Sequence, residues 1–189
     1  MRIAISCYSG SGATTAVSLV SQKLGLKPIN YTFRNLSKDL DLPFEVLREK
    51  AEQTPYYDYL LDSKLLEFSK GDDWVLGSRL AIWLASNADK KIWLDCPIDE
   101  RAKRIAKREN WSFQKALEHT EQRDEKDKQR YAKLYGIDLE DHNFVDAMIS
   151  TTDSPETVCD EIISVKPRNL KANINNINEI ISRRLTGFK

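Results

Sequence analysis

Short apolar runs alternate along this chain with longer stretches whose apolar residues recur every three or four positions. The first run, Arg2 to Ser6, ends at small residues and predicts a buried strand. Behind it Ala13, Val17, Val20 and Leu24 form a helical stripe, and Gly25 supplies a left-handed stop. Asp73 to Gly77, Lys91 to Asp95 and Phe144 to Ile149 predict three further buried strands, and Ile29 to Phe33 is a candidate for another. Residues 33–70 are helical in pattern, broken at Pro43 and Pro55, each placed where proline opens a new helix. Helical patterns also cover roughly 79–87, a stretch opened by Pro97 with Asp99 and Glu100 in its first turn, and one starting at Ser154-Pro155-Glu156. After the polar break Lys166-Pro167-Arg168-Asn169, the tail 171–189 carries Ile174, Ile177, Ile180, Ile181 and Leu185, a further amphipathic helix. No internal repeat is visible. This alternation predicts an α/β fold, a parallel sheet of about five strands with helices on both faces.

Length adds one constraint. A chain of 189 residues buries about 70% of its unfolded surface, enough for one substantial core. Charge is balanced, with 29 Lys+Arg against 29 Asp+Glu, which argues against a general nucleic-acid or membrane-surface binder. The balance is a sum of opposing blocks, however. Residues 1–34 carry +4, residues 134–165 carry −8, and 97–133 hold 11 Lys/Arg among 8 Asp/Glu. Cys7, Cys96 and Cys159 are odd in number and contain no C-x-x-C pair, so they suggest neither a disulfide framework nor a zinc site. The N-terminal apolar run is too short for a signal-peptide core, and no run of about 18 apolar residues exists. A cytoplasmic protein with no membrane partner is the expectation.

Chemistry enters between the first strand and the first helix, at Cys7-Tyr8-Ser9-Gly10-Ser11-Gly12-Ala13-Thr14-Thr15. A glycine-rich turn opening a helix aims several backbone N–H groups at one point, and the helix dipole adds to their field, so it makes an anion cradle for a polyphosphate. Ser9, Gly10, Ser11, Gly12, Ala13, Thr14 and Thr15 are the candidate phosphate contacts, and the Thr14 hydroxyl is placed for a Mg²⁺ that bridges phosphates. The pattern G-x-x-x-x-G-K-[ST] is broken at its first glycine, by Cys7, and at its lysine, by Ala13. From this loop alone, a nucleotide site and a turn used only for tight packing both stand.

Later blocks bear on the choice. Arg101, Arg104 and Arg108 fall at i, i+3 and i+7, on one helical face; Arg123, Asp127 and Arg130 fall at i, i+4 and i+7 on another. A solvated face with a helix pair such as Arg123 with Asp127 is the plain alternative. Trp74-Val75-Leu76-Gly77-Ser78-Arg79-Leu80-Ala81-Ile82-Trp83 resembles the central strand and S-R-L-A-x-W segment of the archaeal-type cytidylate kinases, a branch of the P-loop nucleoside monophosphate kinases. Lys91 to Pro97 with Arg101-Ala102-Lys103-Arg104-Ile105-Ala106-Lys107-Arg108-Glu109 is similar to that family's next strand and Arg-rich helix. So are Arg130 to Asp138, then Asp146 and Thr151, in family order from residue 2 to about 165.

The resemblance implies transfer of the γ-phosphoryl group of ATP, with Mg²⁺, to CMP or dCMP. It implies a kinase domain with core segments 1–34, 71–96 and 134–165, an acceptor-binding insertion 35–70 and a lid 97–133; the extra helix over 170–186 lies outside the resemblance and is expected to pack on this single domain. Arg101, Arg104, Arg108, Arg123, Asp127 and Arg130 become lid residues. Arg34 of Phe33-Arg34, Arg79, Asp58 and Asp62 become acceptor contacts. A monomer is expected, with self-association through the C-terminal helix as the alternative. Two departures, Ala13 and Gly77 where the family has an acidic residue, keep open a non-catalytic nucleotide-binding relative or another small-molecule kinase of this fold.

Overall fold

A computed structural model describes residues 1–168 and 177–187. Its centre is a parallel sheet in the order β2-β3-β1-β4-β5, built from β1 (Arg2–Cys7), β2 (Lys27–Ile29), β3 (Trp74–Gly77), β4 (Lys90–Asp95) and β5 (Ala147–Ser150). The flanking strands pair to β1 in parallel, Ile3 lying opposite Val75 on one side and Lys90 on the other. Side chains alternate across the pleat. Ile3, Ile5, Val75, Ile92 and Leu94 face one way, under α1 (Ala13–Leu24) and α8 (Pro155–Ser164). Ala4, Leu76 and Trp93 face the other. That second face is covered by α4 (Tyr56–Phe68), α5 (Ala81–Leu84) and α9 (Ile177–Thr186). Both faces are therefore buried, as a parallel sheet requires.

Two helical excursions leave the C-terminal edge of this sheet. Between β2 and β3 the chain forms α2 (Phe33–Asp39), α3 (Phe44–Gln53) and α4, with Pro43 and Pro55 at the caps of the latter two. Between β4 and β5 it forms α6 (Ile98–Glu109) and α7 (Phe113–Tyr135). Asn110, at φ 54°, closes α6, and the Ser112 hydroxyl accepts the Lys115 N–H to open α7. The two helices share a small core of Ala102, Ile105 and Ala116.

Three expected elements shift. The second strand runs Lys27–Ile29 instead of Ile29–Phe33, because Thr32 ends the extended segment: its N–H and hydroxyl both donate to Asn35 Oδ1 (3.0 and 2.7 Å), which starts α2 at Phe33. The helix expected over 79–87 shrinks to Ala81–Leu84, entered by a turn in which Leu80 N donates to Ser78 Oγ. The last strand starts at Ala147 instead of Phe144. Phe144 and Val145 are core residues of a turn, and the Asp146 carboxylate accepts from the N–H groups of Lys91 and Arg168 at its exit. In the tail, Ile177 and Ile181 pack on the Tyr59 and Leu65 side of the core, while Ile174 lies outside the described residues.

Candidate active site

The loop between β1 and α1 adopts the wide turn its glycines permit. Gly10 has φ 88°, and a Cβ there would stand 3.1 Å from both Cβ and O of Arg101, so α6 presses directly on the loop backbone. Ser11 is buried and its N–H donates to Tyr8 O, whereas Gly12, Thr14 and Thr15 are exposed at the start of α1. No acidic residue stands in the first turn of α1 to compete for its free N–H groups.

Arginines surround this loop from three elements. Arg101 is buried: Nε donates to Cys96 O (3.1 Å), Nη1 to Ser9 O (3.4 Å), and Nη2 pairs with Asp124 of α7 at 2.7 Å. Arg104 Nη1 donates to Gly10 O (3.4 Å) and Thr151 Oγ1 (3.3 Å), and lies 3.9 Å from where a Cβ of Gly12 would be. Arg79, just after β3, pairs with Asp127 of α7. Arg123, one helical turn before Asp127, makes no hydrogen bond or ion pair among the described residues. The neighbouring Arg79 charge, followed by burial, lowers its pKa to about 10. The Arg123–Asp127 helix pair of the plain alternative does not form; Asp127 pairs with Arg79 of another element instead. Two guanidinium groups thus stand close together with only Arg79 paired to Asp127, which leaves a surplus positive charge between β3 and α7.

The remaining sequence candidates lie elsewhere. Arg130 Nε donates to Asp58 Oδ1 (2.8 Å) and Nη2 to Ala51 O (2.9 Å), binding α7 to the α3–α4 insertion. Asp62, buried on α4, accepts the Tyr135 hydroxyl at 2.6 Å, and burial pushes its pKa up to about 7. Asp58 and Asp62 therefore engage α7 instead of presenting free carboxylates. Arg34 is exposed, its guanidinium 4.2 Å from the Phe44 ring centroid. Arg108 is exposed beside Glu109. Thr14 Oγ1 accepts a hydrogen bond of 3.0 Å from Asn30 Nδ2. Gly77 has no room for a side chain, since a Cβ there would meet Val17 Cγ2 at 2.5 Å.

Three participants had no sequence signal: Asp124, whose partner is on another helix, Phe44, and Asn30. Each depends on which elements face each other, and no spacing rule reports that. Among the described residues no group of three His, Cys, Asp or Glu is gathered as a metal site, and no helix is long and apolar enough to cross a membrane.

A sequence profile described as "Cytidylate kinase-like family" matches residues 2–153, which include the loop and every arginine above. The chain belongs to the cytidylate kinase-like family. Within it, "Cytidylate kinase 2" of Borreliella afzelii is 39% identical over 177 residues, spanning 90% of this chain and 99% of that protein. The cytidylate kinase of Thermococcus kodakarensis is 39% identical over 151 residues, 79% of this chain and 78% of that protein. Solved structures agree on the fold. An uncharacterized protein from Eubacterium ventriosum superposes with TM-score 0.62 at 19% identity, covering 85% of this chain and 94% of its own. Shikimate kinase from Aquifex aeolicus superposes with TM-score 0.56 at 18% identity, over 86% and 94%. The family profile ends before α8 and α9.

Proposed function

We propose that this chain is a cytidylate kinase, transferring the γ-phosphoryl group of ATP to CMP or dCMP and releasing ADP and the pyrimidine diphosphate. The observation that carries the reading furthest is the Arg79–Arg123 pair, two neighbouring cations of which only Arg79 is paired, with Asp127, and of which Arg79 acts electrostatically on Cys7 at the start of the loop. A surplus guanidinium costs stability in an empty site and repays it when an anion arrives, which suits phosphoryl oxygens bound by the planar fork.

In this reading the backbone N–H groups of Gly10 to Thr15 hold the ATP phosphates, and Arg104, already lying on the loop, contributes the cation that Ala13 lacks. An oxygen of the acceptor phosphate attacks the γ-phosphorus as its bond to the ADP oxygen breaks. The attacking phosphate is already anionic, so no protein base or nucleophile is needed; positioning and charge neutralisation do the work. Arg34 takes the acceptor phosphate from the α2 side, and Arg79 and Arg123 lie where charge builds during transfer. Asp58 and Asp62 act on the acceptor indirectly, by fixing α4 to α7. Mg²⁺ enters with ATP. The exposed Thr14 hydroxyl fits it, because Mg²⁺ takes few protein ligands and completes its shell with phosphate oxygens and water. Bound there, the ion would neutralise charge on the β- and γ-phosphates. A monomer working in the cytoplasm is consistent with these features.

A coupled ADP-release assay with MgATP and CMP, dCMP, UMP and AMP in turn tests the proposal. Turnover with the cytidine acceptors well above the others is expected. Nucleotide binding without turnover on any acceptor would instead identify a non-catalytic relative, and Arg123→Ala should lower kcat by about a hundredfold.

A further inference from the structure

Residue 77 ends β3 directly beneath the first turn of α1: a Cβ there would lie 3.9 Å from Ala13 O and 2.5 Å from Val17 Cγ2. A side chain at this position would run into Val17 beneath the first turn of α1. The neighbouring strand offers a substitute. β2 pairs with β3 in parallel, Pro28 opposite Val75 and Ile29 opposite Leu76, so Asn30 stands one step on, alongside Gly77. Alternation puts residue 30 on the same face as Pro28, and both line a groove of about 490 Å³ with Thr14, Val17, Ser18 and Ser21 of α1. From there Asn30 Nδ2 reaches Thr14 Oγ1 at 3.0 Å.

We propose that Asn30 is the positioning residue for the metal-bearing end of ATP, holding the Thr14 hydroxyl from the strand beside Gly77, where Val17 leaves no room for a side chain. A hydroxyl oxygen has two lone pairs. The Asn30 amide engages one and fixes the rotamer, leaving the other directed out of α1 toward the phosphates. An amide does this without adding negative charge, so this end of the site relies on the oxygens of ATP to hold the cation. Orienting partners one bond removed from a metal commonly govern its affinity about tenfold or more.

This inference rests on the reading of the loop as an ATP site, and the test separates the two. The β,γ-imido analogue of ATP is titrated calorimetrically into the wild-type chain, Asn30→Ala and Asn30→Asp, each with Mg²⁺ and with a chelator. Mg²⁺ is expected to tighten binding to the wild type; in Asn30→Ala that gain should shrink about tenfold while the affinity in chelator stays unchanged. Asn30→Asp, which still holds the hydroxyl and adds a negative charge, should retain or enlarge the gain. An Asn30→Ala gain equal to the wild type overturns the role of Asn30 alone. Equal weakening with and without Mg²⁺ also overturns it, since that marks a purely structural contact. No Mg²⁺ gain in the wild type overturns both this inference and the metal-assisted reading of the loop.

Discussion

In the proposed reading, Arg104 is the residue on which the altered phosphate loop depends most. Position 13 carries a methyl group where a lysine is expected, yet a guanidinium already contacts Gly10 O and lies within reach of Gly12. If Arg104 supplies that charge, Arg104→Ala lowers kcat by about a hundredfold, the usual cost of one transition-state cation. Ala13→Lys in the wild type raises kcat only modestly, and in the Arg104→Ala background it recovers about tenfold; steady-state kinetics of the four chains closes this cycle. The loop itself was legible in the sequence, because glycines between an apolar run and a helical stripe leave few other readings. The compensation was not. Arg104 is separated from Gly10 by ninety-four positions in the chain, and helical spacing named its face without naming what the face meets.

At the scale of elements, α4 and α7 are tied by buried ionisable groups. Asp62 accepts from Tyr135, Asp58 pairs with Arg130, and Tyr59 packs edge-on against Tyr135. Burial raises the Asp62 pKa from 3.8 to about 7. The folded state therefore holds a proton that the unfolded chain releases above about pH 4. The contribution of Asp62 to stability is accordingly fullest below the unfolded value and falls as pH rises to about 7. Asp62→Asn keeps an acceptor for the Tyr135 hydroxyl and removes the titration. Its stability relative to the wild type, from urea unfolding, should rise by about 2 kcal/mol between pH 5 and pH 8. The sequence pattern placed both helices and both carboxylates. The resemblance made the carboxylates acceptor contacts, and their engagement with α7 was not legible, because Asp at i and i+4 looks the same whether the opposing surface is solvent or another helix. Element ends were blurred too: the Thr32–Asn35 hydrogen bonds that end β2 are local, whereas the Asp146 carboxylate before β5 meets the Lys91 N–H from far along the chain, and both outweigh the β-propensity of the residues around them.

For the whole molecule, α9 completes the core instead of extending it. Ile177 and Ile181 are buried with Tyr59 and Leu65, and Ile180 and Leu185 pack partly against the same cluster, so the described part of the isoleucine stripe is engaged within one chain. Ile181→Ala should cost about 2–4 kcal/mol in urea unfolding, and light scattering should report a monomer before and after the substitution. Sequence periodicity identified this stripe, and only the tertiary structure shows what it covers. A last consequence follows from α7, whose 23 residues make a rod of about 34 Å. Its middle carries Asp124 and Asp127 against Arg101 and Arg79, and its last turns carry Arg130 and Tyr135 against α4. Under the proposed function, a tilt of α7 favoured by one nucleotide would act on both sets of contacts, and such linkage runs with equal strength in both directions. In the proposed reaction, ATP and its acceptor would then each report the other's presence through a single stiff helix, with no signal passing through the sheet.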